Sequence, residues 1–277
     1  MFIVVSSGGT PWGVGSWFWY NFNVVQDAGT ADASWPDYFD LGYSQNFITT
    51  SGNMFEFPDV NGNRPFRWAR HIIFDKTQIY NAASAGTVSF SNLRNGDNSF
   101  AFAPRAVQQQ WQFGGLDGVF ISSRPGGGDE LEIWRLTNAF STNNLARATI
   151  DVNPYTSPPA ATQPNGGLLD TLGCRLMPAV LTNDLVNGNG LEIFTALTTA
   201  RSGNAAIRQY RIDATNNIIS TGDTKLLDSS SSASAGGTTT SPRTFTLPYL
   251  PPGNYFIGAI VSENVGCSQT VTGFDPV

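Results

Sequence analysis

The residues with the most evident chemical potential lie in "GVFISSRPGGGDELEIWRL", Gly118–Leu136, where Gly126, Gly127 and Gly128 stand directly before Asp129, Glu130 and Glu132. A glycine run leading into a helix can cradle a phosphate, because the first N–H groups of that helix point at the anion. A carboxylate pair can serve a glycosidase as acid and nucleophile when a cleft holds the two groups at a set separation. Here "DELEIWRL" alternates with period two, which predicts a strand after the glycines and makes Gly126–Gly128 a turn between two strands. The acids then belong to an exposed turn.

Other candidates are sparse. In "DVNGNRP", Asp59, Asn61 and Asn63 alternate as the opening ligands of a calcium loop do, but the sixth position is Arg64 and no glutamate stands at the twelfth. An Asn-Gly turn is the stronger reading, with calcium the one cofactor considered. His71, in "WARHIIF", is the only histidine, so a multi-histidine metal site is excluded and His71 reads as a packing or surface residue. Asp32, Asp37 and Asp40 form a loose acidic group, of which Asp37 and Asp40 fit strand-entry or loop-backbone hydrogen bonds. Cys174 and Cys267 are compatible with one disulfide or with two buried thiols. Arg175 follows Cys174, yet consecutive strand residues face opposite sides, so it is poorly placed to activate that thiol. No catalytic residue emerges, and the chain reads as leaning away from an enzyme.

Aromatic side chains are the better binding candidates. "PWGVGSWFWYNF" gathers Trp12, Trp17, Phe18, Trp19 and Tyr20 in one stretch. In a strand, Trp17 and Trp19 share one face and Phe18 and Tyr20 the other. With the tryptophans toward the core, Trp12, Phe18 and Tyr20 become the rings available to a sugar face or a partner surface. The competing reading buries both faces between neighbouring sheets.

The elements that must position these residues are strands. Of 277 residues only 13% are charged while 12% are aromatic, with 29 glycines, a balance that favours strands and turns. The net charge of −6 argues against a nucleic-acid partner, and no apolar run is long enough to span a membrane as a helix. A strand pair recurs: "FIVVSSGG" with "SWFWYNF", "NFITTSGN" with "ARHIIFDK", "GVFISSRPGGG" with "LEIWRLTN", "GLEIFTALTT" with "AIRQYRID", and more loosely "NYFIGAIVS" with "QTVTGFDP". Phe47, Val119 and Leu191 fall 72 positions apart. Most pairs follow another strand: residues 37–44, 99–107, 173–183 and 243–250. Such antiparallel modules match the blades of a β-propeller, where neighbours cover each other. Short helices are predicted after Lys76 and over Thr137–Asn144. The first pair lacks a preceding strand, which leaves an edge for a strand of the same chain or of another subunit.

The ordered segments "SWPDYFDLGYSQNFITTSGNMFEF", "ARHIIFDKTQIY", "LEIWRLTN", "PNGGLLDTLGCRLMPAV" and "IRQYRID" resemble a group of secreted bacterial propeller-like proteins. The resemblance covers residues 1–213 and implies export and a propeller fold. Residues 219–266 resemble the later half of the immunoglobulin-like CARDB adhesion module, through "LPYLPPGNYFIGAIV". Residues 214–277 are therefore expected to form either a last blade or a CARDB-like segment, beyond a low-complexity stretch, "SSSSASAGGTTTS". "FIVVSS" directly after Met1 lacks the pattern of a signal peptide, so any export signal is expected outside this sequence. The expectation is an all-β, propeller-like protein of the extracellular or cell surface, structural or adhesive, assembling with itself into filaments by strand completion. The alternative is a propeller that binds surface glycan or cleaves glycosides.

Overall fold

The computed structural model describes residues 1–8, 14–25, 34–110, 116–162, 166–183, 190–214, 218–219 and 225–227. The chain opens on a hairpin, β1 (Phe2–Ser6) and β2 (Trp17–Asn21). A first module follows: β3 (Ser34–Tyr43), β4 (Phe47–Glu56), β5 (Phe66–Asp75), α1 (Lys76–Tyr80) and β6 (Thr87–Phe90). The second holds β7 (Arg105–Ala106), β8 (Gln108–Gln109), β9 (Gly118–Ser123), β10 (Gly127–Thr137) and β11 (Asn144–Thr156). A short ribbon, β12 (Ala161–Thr162) with β13 (Leu168–Leu169), leads to the third: β14 (Val180–Asn183), β15 (Leu191–Arg201), β16 (Asn204–Asp213), β17 (Ile218–Ile219) and β18 (Lys225–Leu227). The fold is all-β, with α1 as the one α-helix among the described residues.

Four recurring strand pairs become antiparallel hairpins: β1 with β2, β4 with β5, β9 with β10, and β15 with β16. Period-two alternation decides what each hairpin covers. On β9 and β10, Phe120, Trp134 and Leu136 share one face and pack against Ala69 and Ile73 of the first module. Val119, Ile121, Leu131 and Ile133 take the opposite face and meet Leu181, Ile193, Leu197 and Ile212 of the third. The sheet β11-β10-β9-β7 is thus enclosed on both sides, and all six residues of β9 are buried. Each large apolar side chain so enclosed contributes about 2 kcal/mol. The first and third modules join into one long mixed sheet because β8 pairs parallel with both β3 and β14. The described residues close no ring of blades.

Proline shortens the strands expected ahead of two hairpins. Isolated bridges pair Phe100 with Arg94 and Leu176 with Leu197, but the continuous ladders start only after Pro104 at Arg105 and after Pro178 at Val180, since proline cannot donate to a ladder. Between residues 172 and 174 the chain instead makes a left-handed turn, with Leu172, Gly173 and Cys174 at φ of 67°, 56° and 69°. The helix expected over Thr137–Asn144 is a turn. Asn138 (φ 54°) and Asn143 (φ 50°) are left-handed, and the Ser141 and Asn143 N–H groups both donate to the Asn138 carbonyl. The helix expected after Lys76 is α1, capped by the Asp75 carboxylate accepting from Gln78 N–H at 3.0 Å.

Of the glycine run expected to form the turn, Gly126 lies in the turn after β9, while Gly127 and Gly128 open β10 and pair with Thr156 and Tyr155. Gly126 (φ 82°) and Gly127 (φ 129°) reverse the chain into β10, and a Cβ on Gly127 would stand 2.8 Å from the Tyr155 carbonyl oxygen. Gly127→Ala is expected to cost about 2 kcal/mol, because it adds a forbidden φ to a backbone collision. The measurement is a lower urea midpoint at unchanged slope; an unchanged midpoint would refute the steric argument.

Candidate functional site

Among the described residues, the β1–β2 hairpin is a separate two-stranded sheet with an open edge. Phe22 N–H donates to the Met1 carbonyl and the Met1 amine to the Phe22 carbonyl, both at 2.9 Å, and Ser7 N–H donates to the Ser16 carbonyl at 2.8 Å. With Phe2 opposite Asn21 and Val4 opposite Trp19, this register turns the backbone of Ile3 and Val5 toward β2. The N–H and C=O groups of Phe2, Val4 and Ser6 therefore face away from it, and among the described residues β1 has no strand on that side.

Side-chain alternation gives the hairpin two apolar faces. Ile3, Val5 and Tyr20 point inward onto Ile72, Phe74 and Ile79, and Tyr20 O–H donates to the Ile79 carbonyl at 2.5 Å. Phe22 meets Phe74 with ring centroids 4.6 Å apart. Phe2 and Trp19, each 71% exposed, look outward with Val4. Along the open edge lies a groove of about 440 Å³ lined by Ile3, Val5, Leu41, Ile48 and Tyr80. An unpaired edge over an apolar groove is an acceptor for an added strand, with main-chain hydrogen bonds giving affinity and the groove giving preference for apolar side chains. Comparisons with models of protein families, with curated proteins and with solved structures found no match.

The aromatic expectation is reversed in its facing. Tyr20 is held inward, and Phe18 lies half-buried on the same face, opposite Val5. Trp19 is the ring that solvent reaches. The period-two pattern fixed which residues share a face but not which face turns inward, because both are apolar. Trp12 lies outside the described residues, as do Asp32 and Cys267.

The acids of the glycine-run segment serve the fold. Glu132, with its side chain 1% exposed, accepts from Gly96 N–H (2.7 Å), Arg124 (3.1 Å), Arg147 (3.1 Å) and the Thr149 hydroxyl (3.2 Å). These four donors fill the acceptor positions of one carboxylate. Arg124 also binds Glu130 at 2.6 Å and Asp97 at 2.7 Å. Hydrogen bonds from Ser99 and Arg124 hold the Asp97 carboxyl well below its usual range. Asp129 is exposed in β10, at the register shift between Gly128 and Glu130.

At the calcium-like loop, the Asp59 carboxylate accepts from the Asn61 and Asn63 N–H groups, each at 2.8 Å, and from the Asn63 side-chain amide at 2.9 Å. The loop's own donors thus occupy Asp59, and Gly62 (φ 79°) completes an Asn-Gly turn. Cys174 is wholly buried, and burial pushes its thiol pKa up, away from nucleophilic use. His71 is buried between sheets, its ring stacked on Phe120 with centroids 3.6 Å apart.

One cluster has no local signature in the sequence. Arg105 and Arg175 place their guanidinium carbons 4.4 Å and 5.2 Å from the Tyr38 ring centroid, where Tyr38 (φ 60°) sits in the bulge of β3 between Asp37 and Asp40. Arg105 Nε donates to the Leu176 carbonyl, and Asp40 accepts from Leu41 N–H at 3.0 Å. The cluster ties β3 to β7 and to the turn before β14, so it clamps all three modules where their first strands meet. Cation–π contacts of this kind contribute about 1 kcal/mol each.

Proposed function

We propose that this chain is a non-enzymatic structural or adhesive protein of the extracellular surface, and that copies of it assemble head to tail by strand completion at β1. The observation that carries the reading is the outward row of N–H and C=O groups on Phe2, Val4 and Ser6 beside the groove of Leu41, Ile48 and Tyr80. In this reading the hairpin modules are blades of a propeller-like array and β1–β2 is its incomplete member. The resemblance of the strand motifs to secreted bacterial proteins supports the extracellular placement. The full occupation of Glu132 weighs against glycoside cleavage at that carboxylate.

Val4→Pro tests the reading. It deletes an outward N–H and leaves the hydrogen bonds to β2, which belong to Ile3 and Val5, in place. Sedimentation velocity is expected to show concentration-dependent polymers for the native chain and monomers for the variant. Polymers from both would refute edge pairing. A second reading, a surface that binds glycan, is favoured by the exposure of Trp19, since sugar faces stack on such rings. A glycan array that lights up with the native chain and goes dark with Trp19→Ala would establish it.

A further inference from the structure

We infer that the strand accepted at β1 is Tyr255–Val261 of a second copy of this chain; the inference rests on the assembly reading above and names its donor. The acceptor sets three demands. β1 is apolar at Phe2, Ile3, Val4 and Val5 in succession, so a strand beside it lies next to apolar side chains on both faces. A donor must therefore be apolar at successive positions, not only at alternate ones. It must be without proline, which would remove ladder donors, and without charge, which would be desolvated against the groove. It must also match the five residues of β1.

Beyond Leu227, "YFIGAIV" at Tyr255–Val261 meets all three, with seven residues free of charge and proline. One face of such a strand carries Tyr255, Ile257, Ala259 and Val261, and the other Phe256, Gly258 and Ile260. The neighbouring candidates fail. Residues 243–250 contain Arg243 and Pro248, and residues 268–276 are interrupted by Gln269, Thr270, Thr272 and Asp275. The chain between Leu227 and Tyr255 is long enough to extend roughly 90 Å, a span that allows the donor to reach a second copy. Because donor and acceptor sit at different places on the same chain, the contact is heterologous and propagates.

The test mixes two full-length variants. Val4→Pro blocks the acceptor and keeps the donor; Ile257→Lys/Ile260→Lys charges both faces of the donor and keeps the acceptor. Each alone is expected to sediment as a monomer, with a circular dichroism spectrum and melting curve like those of the native chain. An equimolar mixture is expected to form heterodimers that grow no further, because only one productive contact remains. Val4→Lys serves as a second acceptor variant should proline disturb the hairpin. If the donor variant polymerises alone while Val4→Pro does not, another segment completes β1, and the inference fails with the assembly reading intact. If Val4→Pro and Val4→Lys polymerise like the native chain, that reading fails too. A native chain that stays monomeric at every concentration overturns both.

Discussion

Replacing Glu132 by alanine is expected to lower the unfolding free energy by about 3 kcal/mol, the cost typical of removing one partner from a buried ion pair. The loss has several parts. Arg124, with its side chain 12% exposed, keeps Glu130 and Asp97 but loses the one carboxylate that is buried with it. Gly96 N–H and the Thr149 hydroxyl lose their acceptor, and Arg147 swings free. Glu132 also joins the turn around Asp97 to β10 and β11, so the loosening spreads to the interface between the first and second modules. Glu132→Gln keeps the shape and the backbone contact and should cost about half as much. Urea titration read by tryptophan fluorescence separates the two. A Glu132→Ala midpoint within error of the native value would show the network to be no more than surface decoration.

That network lies within the glycine-run segment, yet its meaning depends on distant partners. "GGGDELEIWRL" announces a turn and a strand, and the β9–β10 hairpin bears this out. Nothing local says that Arg124 would bend back to Glu130 and Glu132, or that Gly96 and Arg147 would close around the same carboxylate. The hairpins were legible because period-two alternation and turn residues are local signals. The 72-residue step was legible for the same reason: Phe47 and Leu191 open β4 and β15, and Val119 is the second residue of β9. Sidedness was not, since Trp17, Phe18, Trp19 and Tyr20 offer an apolar face either way. The meeting of Tyr38 with Arg105 and Arg175 was also hidden. It depends on a bulge that gives Tyr38 a left-handed backbone and on a left-handed turn at Leu172 and Cys174, conformations that non-glycine residues do not advertise.

The fold should also lose stability in mild acid through one residue, His71. Its ring lies wholly buried against Phe120, edge-on to Trp134 at 5.7 Å, and neither ring nitrogen has a hydrogen-bond partner among the described residues. Burial without a partner disfavours the charged imidazolium and pushes the pKa well below its ordinary value. In the unfolded chain the same ring titrates near pH 6.5. Above that pH the ring is neutral in both states and contributes no pH dependence. Below it the unfolded chain takes up a proton that the folded chain refuses, so stability falls by about 1.4 kcal/mol per pH unit until the folded pKa is reached. The window from pH 6.5 to 5.5 reads this effect as the difference between the native chain and its His71 variants. Asp59 and Asp97, both shifted downward by hydrogen bonds, lose their contribution only at more acidic pH. Asp40, raised by burial, acts in the opposite sense, since protonating it relieves a buried charge. Because His71 is the only histidine, His71→Phe should flatten the dependence of the urea midpoint on pH across that window, and His71→Met should do the same if phenylalanine overfills the site. A native midpoint that stays level from pH 6.5 to 5.5 would mean that the folded protein accommodates the proton, and that the stack on Phe120 opens to do so.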